Sequence, residues 1–347
     1  MSQRLVFAIP GDIGTMTGGY AYDRRMIAEL GRLGWSVEHL ELPAAFPDPG
    51  TADLAETARL LSQIGDETLV LVDGLAFCAA PDIFEPEAAR LRFVALVHHP
   101  LALETGLTPS RMASLRAAET RALRVARSVI VTSAPTSLEL TASFGVEEGR
   151  ITVALPGTDR HARAEAAGDP PLILSVGTLV QRKGHDILIA ALASIADLQW
   201  CCRIVGDATR DPGHAAHLVR MVEDLALAGR ITFAGGLDDV GAEFARADLF
   251  ALATRYEGYG MVFAEAMVHG LPIVGTRAGA VPDVVPAQAG LLVEPDDATA
   301  FGQALRSLVS DAALRKQHGE GAWYAGQRLA SWEASARQIS DSLRLVA

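Results

Sequence analysis

DLFALATRYEGYGMVFAEAMVHGLPIVGT, residues 248–276, holds a strand, a loop, a helix and a second strand in 29 residues. DLFALAT reads as a buried strand ending at Thr254, and LPIVGT reads as the next strand. Between them the loop RYEGYG leads into MVFAEAMVH, a short helix that Gly270 is placed to cap. Strands joined through a helix run parallel, and a parallel sheet is covered on both faces. The unit therefore predicts α/β architecture, with the glutamates Glu257 and Glu265 on the loop and the helix.

The same alternation extends in both directions. Upstream, LILSVGT, WCCRIVG and RITFAGG read as strands with amphipathic stretches between them. The first half carries its own set: RLVFAIP, SVEHLEL, TLVLVD, FVALVH and SVIVTS, closed by ITVALPGTD. HARAEAAGDPP, rich in alanine, glycine and proline, reads as a linker between the halves. At 347 residues the chain suits two domains. We assign residues 1–160 to an N-terminal Rossmann-like domain and 161–330 to a C-terminal one, the two facing across a cleft. Residues 331–347, SWEASARQISDSLRLVA, form a terminal helix expected to pack back on the first domain.

Composition narrows the function classes. A formal charge of −12 argues against a general nucleic-acid binder, which needs a basic face. The three cysteines, Cys78, Cys201 and Cys202, show no CxxC spacing, so a reducing cytoplasm and no cysteine metal site are expected. No apolar run reaches membrane-spanning length. Half the residues are hydrophobic, enough for two sizeable cores.

Ligand chemistry concentrates at strand ends, where an open α/β sheet presents its binding edge. After the first strand, GDIGTMTGGYAYDRR places glycines at 11, 14, 18 and 19, which is not the GxGxxG of a dinucleotide site. Gly18 and Gly19 would let backbone approach an anion at the following helix N-terminus, or simply make a flexible turn. In the second half Gly177, Arg182, Lys183 and Gly184 lie between strand and helix, where two cations can neutralise a departing diphosphate. Glu257 precedes the Gly-Tyr-Gly bend and Glu265 lies about one turn into the helix, so the two carboxylates can grip hydroxyls at opposite ends of one ligand. A sugar nucleotide has that layout. Asp73 and the pair His98–His99 also end strands; Asp73 either meets an acceptor or caps the next helix. Asp238–Asp239 reads as a helix N-cap rather than a metal motif.

EGYGMVFAEAM resembles the E-x7-E motif of retaining glycosyltransferases of the GT-B fold, family 4 in particular. GTLVQRKG resembles that family's donor-phosphate loop, CRIVG with RITFAGGL its base-binding region, and ITVALPGTD the close of its first domain. The resemblance spans almost the whole length. It implies a hexosyltransferase that moves a hexose from a UDP- or GDP-sugar to an acceptor hydroxyl, with no metal or other cofactor. Lys183 and Arg182 would hold the diphosphate, and Glu257 the donor-sugar hydroxyls with the backbone of Tyr259, Gly260 and Met261. Glu265 would take the ribose, while Gly18, Gly19, Gly177 and Gly206 line the donor. His98 would stand near the anomeric carbon, with His99 in reserve and Asp73 on the acceptor side. One departure is plain: many members carry arginine after the loop's first glycine, where this chain has Thr178, and Arg182 is expected to replace that cation.

Two rival functions share parts of this pattern. A sugar-nucleotide epimerase has the same architecture but lacks the glutamate pair, and a non-catalytic sugar-nucleotide-binding protein would not turn the donor over. The helix RMASLRAAETRALRVAR sets Arg116, Arg124 and Arg127 on one side, with Arg121 nearby, and Met112, Leu115, Ala122 and Leu123 opposite. The basic side is most simply solvated, with peripheral membrane contact as the alternative, as in family members that use lipid acceptors. Glu119, on the apolar side, needs buried hydrogen bonds.

Overall fold

The computed structural model describes residues 3–347; Met1 and Ser2 of the assigned first domain lie outside the described residues. The chain divides into two compact units, one running to Gly157 and resumed over Ala330–Ala347, the other Thr158–Leu329.

The first unit holds a six-stranded parallel sheet: β1 (Gln3–Pro10), β2 (Trp35–Leu42), β3 (Leu69–Asp73), β4 (Arg92–Val97), β5 (Ser128–Val131) and β6 (Ile151–Val153), in the order β2-β1-β3-β4-β5-β6. The register places Val6 beside Val70, Leu71 beside Val94 and Ile130 beside Thr152. β3 and β5 are buried along their whole length, as continuous Val/Ile/Leu runs in a two-faced sheet must be. Phe77, Phe84 and Phe93 fill one face with ring centroids 5.0–5.6 Å apart. The terminal helix Trp332–Val346 packs here: Trp35 Nε1 donates to Ser340 Oγ at 2.9 Å, and the Ser128 and Ser342 hydroxyls meet at 2.9 Å.

The second unit holds β7 (Leu172–Val176), β8 (Cys201–Val205), β9 (Ile231–Phe233), β10 (Leu249–Ala251), β11 (Ile273–Thr276) and β12 (Gly290–Val293), also parallel, in the order β12-β11-β10-β7-β8-β9. This is the doubly wound order, with its switch point between β7 and β10. In the first unit the order turns between β1 and β3. The loops that leave those strands carry most of the predicted site residues, with His98 and His99 after β4 and Gly206 after β8, so topology puts the candidates where such sheets bind ligands.

Three sequence expectations change. β12 was not foreseen, because GLLV is short and follows a proline-containing loop. Residues 161–171 are not a free linker. Buried Asp248 accepts from Gly168 N at 2.8 Å and Leu172 N at 2.7 Å, Ala164 N donates to His269 O at 2.8 Å, and His161 stacks on His269 at 4.7 Å. Polar backbone beside a core has to be paired, and that need ties the segment to the second unit. Asp239 is not an N-cap either: Val240 takes that position, and Asp239 accepts from Gly241 N at 2.8 Å as a turn residue.

Asp248→Ala strands two backbone donors. At about 1–3 kcal/mol each, urea unfolding of the second unit should show roughly 2–6 kcal/mol of lost stability. An unchanged midpoint would show that the segment is held by other contacts.

Candidate functional site

In the second unit the chain leaves β7 at Gly177, whose N–H donates to Val205 O at 2.9 Å, and turns through Gln181–Lys183 into the helix His185–Ala193. Gly184, the N-cap, has φ +66° and a Cβ there would collide with Ala253 O; a Cβ on Gly206 would collide with Gly177 O. Three loops therefore touch through backbone, and only glycine fits the contact points. The stem of Lys183 lies against Gly177, 3.3 Å from where a Cβ would sit. Its Nζ then reaches Glu257 Oε1 at 2.7 Å, with both side chains largely buried. Arg182 Nη1 donates to Tyr256 O at 3.0 Å and lies 3.8 Å from Glu257 Oε2.

Burial alone would raise the pKa of Glu257, but Lys183 and Arg182 outweigh it and hold the carboxyl below its usual range. The structure thus brings Lys183, Arg182 and Glu257 into one charged cluster at the sheet edge, with Gly177 and Gly206 beneath it. Gly260, at φ +93°, caps the helix Met261–Val268 behind a buried Tyr259 whose hydroxyl burial pushes up to about 12. Glu265 lies on that helix in a different setting: burial first, then Asp159, push its carboxyl up to about 7. The two glutamates are therefore electrostatically unlike. One is held charged by cations, and the other is readily protonated near neutrality.

In the first unit the helix Gly18–Arg32 opens with Gly18 and Gly19, and Thr17 Oγ1 accepts from Tyr20 N at 3.4 Å. A Cβ on Gly19 would rest 3.5 Å from His98 Cδ2, so this turn lies against the imidazole. His98 Nε2 is 3.0 Å from Asp23 Oδ1 and 3.8 Å from Asp73 Oδ2. Asp73 is a helix cap, its Oδ1 accepting from Leu75 N at 2.6 Å, while its other oxygen faces His98. Burial and then Asp23 push Asp73 up to about 7. Burial opposes charge on His98, yet Asp23 and Asp73 raise its pKa. One oxygen from each aspartate and one His98 nitrogen lie within 4.8 Å of one another, a spacing that would admit a divalent cation; the hydrogen bond and a proton on Asp73 account for it equally.

His99 turns aside to Glu104, at 3.9 Å. Glu119 accepts from Leu101 N at 2.7 Å and Ala102 N at 2.8 Å, fixing the segment after the two histidines. Asp23 and Asp159 were missed. The only signal for Asp23 was an acid four residues after Gly19, on what proves to be the inward face of the helix. On the helix Pro109–Val125, Leu115, Ala122 and Leu123 are buried as expected, but Met112 is 39% exposed. Much of its basic side is engaged: Arg121 pairs with Asp82 and Glu85, and Arg116 lies over Phe144. No helix among the described residues is long and apolar enough to cross a membrane.

Residues 170–311 match the model of the family described as glycosyl transferases group 1. That match lies within the second unit. Both six-stranded units together have the GT-B fold, shown by sucrose-phosphate synthase from Thermosynechococcus elongatus (TM-score 0.83, 22% identity, 98% of each chain). HepE of Anabaena, solved with UDP and glucose, superposes with a TM-score of 0.79 at 19% identity, over 99% of this chain and 100% of its own. Among curated relatives, a lipopolysaccharide core biosynthesis glycosyltransferase, LpsE of Rhizobium meliloti, is 32% identical over 55% of this chain and 56% of its own. A GDP-mannose-dependent α-(1-6)-phosphatidylinositol monomannoside mannosyltransferase of Mycobacterium tuberculosis is 31% identical over 54% and 52%. The chain thus spans about half the length of these two curated relatives.

Gly184→Ala tests the close approach. The left-handed φ and the collision with Ala253 O should together cost about 2 kcal/mol or more in urea unfolding, since the conformation alone costs roughly 1–2. Wild-type stability in this variant would show that the loops have room to separate.

Proposed function

We propose that the protein is a retaining hexosyltransferase that moves a hexose from a UDP- or GDP-sugar to an acceptor hydroxyl without a metal ion. The observation that carries the reading is the Lys183–Arg182–Glu257 cluster at the switch point of a group 1 glycosyl transferase unit. In this reading the second unit binds the donor. Lys183 and Arg182 neutralise the diphosphate as it leaves, which does electrostatically what a divalent ion does elsewhere. Glu257, with the backbone of Tyr259, Gly260 and Met261, holds hexose hydroxyls, and Glu265 takes the ribose. The first unit binds the acceptor, with His98 near the anomeric carbon and Asp73 on the acceptor side. Retention of configuration follows from the family resemblance, with the leaving phosphate acting as base. HepE was solved with UDP-glucose and the mycobacterial relative is named for GDP-mannose, so those two donors come first in any panel.

A thermal-shift panel of nucleotide sugars should single out one donor, which at 100 times its dissociation constant adds about 2.7 kcal/mol. Transfer or slow donor hydrolysis should persist in EDTA. Activity abolished by EDTA and restored by Mg²⁺ or Mn²⁺ would end the metal-free reading, and a product of inverted anomeric configuration would end the retaining one.

Changing the two glutamates should move different kinetic parameters. Glu265 meets a part of the donor that does not change during transfer, so Glu265→Gln should raise KM and leave kcat nearly alone. Glu257 faces the sugar, which gains positive charge as its bond breaks, so Glu257→Gln should lower kcat. Each effect should be roughly 1–3 kcal/mol, the scale of a hydrogen bond from a charged group. The reverse assignment in steady-state kinetics would mean that the donor lies the other way round.

A further inference from the structure

His98 is held by more than its strand. The Asp23 carboxylate, wholly buried on the first helix, meets Nε2 at 3.0 Å. A carboxylate only accepts, so Nε2 carries a hydrogen and donates it. Tyr22, beside Asp23 in the chain, turns its ring edge toward the imidazole with centroids 5.3 Å apart, and its own hydroxyl donates to Ala154 O at 2.9 Å. Just after β5 the Thr132 hydroxyl donates to His98 O at 3.4 Å. The ring is thus bounded by helix and sheet, and its nearest polar partner, ahead of Asp73 at 3.8 Å, is an acid that neither the sequence pattern nor the family resemblance singled out.

We propose that Asp23 positions His98: by accepting the Nε2 hydrogen it fixes the ring's tautomer and orientation, and leaves Nδ1 as the nitrogen offered to a substrate hydroxyl. This rests on the reading of His98 as a reacting-site residue. Positioning matters because a histidine with a free choice of tautomer presents the wrong face of its chemistry for part of the time. With Nε2 committed, Nδ1 accepts from a hydroxyl when the ring is neutral and donates when it is charged.

Asp23 also bears on the charge of the ring. The charged groups acting on the imidazole are Asp23, from the first helix, and Asp73, from the end of β3. Tyr22 is kept neutral by burial, as is Cys78 behind Asp73; His99, next along the chain, faces Glu104. Two buried carboxylates around one imidazolium would leave an uncompensated negative charge. Asp73, pushed up to about 7, relieves it by taking a proton, so the neutral set is a charged Asp23–His98 pair beside a protonated Asp73. When Asp73 loses that proton above neutrality, the charge on His98 is favoured further.

Nitrogen-15 NMR of the ring reads the tautomer directly. In the unsubstituted protein neutral His98 should be hydrogenated at Nε2, and a predominance of the Nδ1–H form would overturn the proposal with no variant needed. Asp23→Asn keeps an acceptor and removes the charge. His98 should still be hydrogenated at Nε2, but its titration midpoint should fall by about 1 unit or more, the usual effect of losing an adjacent opposite charge. At a pH above both midpoints, a fall of one unit lowers the charged fraction about tenfold. The alkaline limb of kcat for donor turnover should move down by the same shift, with KM for donor within about threefold of wild type, a split that a merely structural role would not produce. An unmoved midpoint in a natively folded Asp23→Asn would overturn the proposal. A moved midpoint with an unmoved kcat profile would uphold the positioning and instead remove His98 from the reaction.

Discussion

Gly184 sits where any side chain would run into the carbonyl oxygen of Ala253, and Gly206 where one would run into that of Gly177. These contacts bring the loops after β7, β8 and β10 together through bare backbone. Everything polar at this edge depends on that spacing. Lys183 follows from it, because its stem crosses Gly177 and its ammonium then lies on Glu257. Arg255 secures the far side, pairing with Asp186 at 2.7 Å and Asp296 at 2.7 Å while its own N–H donates to Arg182 O at 2.7 Å. The glycines thus fix distance and the ion pairs fix direction.

Burying Glu257 carries a desolvation cost that hydrogen bonds and two cations must offset. The result is a carboxylate already charged and oriented before a ligand arrives, which limits reorganisation on binding. At Asp73, Glu119 and Glu265 burial outweighs what opposes it (His98 at Asp73, two backbone N–H groups and Arg116 at Glu119) and pushes each up to about 7. The linkage sign is the reverse of the usual acid-denaturation case. A carboxyl raised in the folded state binds a proton that the unfolded chain has already lost, so its contribution favours folding at low pH and fades as pH rises toward 7. Glu257, held low, contributes stability above its unfolded value and loses it on acidification. The two kinds of acid act in different windows: the raised carboxyls lower stability as pH climbs from the ordinary carboxylate range toward 7, whereas Glu257 lowers it only on acidification below that range.

The fold was legible because its signal is repeated. Eleven of the twelve strands coincide with an apolar run closed by glycine or polar residues, and the parallel pairing follows from the helices between them. β12 escaped because four residues after a proline give no periodicity to read. The Lys183–Glu257 association was legible only in part: each lies in a recognisable loop, but their contact spans 74 positions and depends on backbone approach that no spacing rule encodes. Asp23 was illegible for a different reason. Its role depends on which face of the first helix turns inward, and GGYAYDRR offers polar and apolar residues on every side.

In the proposed donor reading, Arg182 stands in for a cation that this chain lacks at Thr178. The resemblance expects a cation directly after Gly177, and this chain has a hydroxyl there. Arg182 approaches the same cluster from the other end of the loop, anchored on Tyr256 O and 3.8 Å from Glu257. Two fixed cations beside one buried acid leave net positive charge at the sheet edge, and a diphosphate is the ligand charge that such an edge favours. The replacement is not equivalent, however. A cation that leans on Glu257 couples phosphate recognition to the carboxylate assigned to the sugar, so the two ends of a bound donor would be sensed through one charge network rather than two.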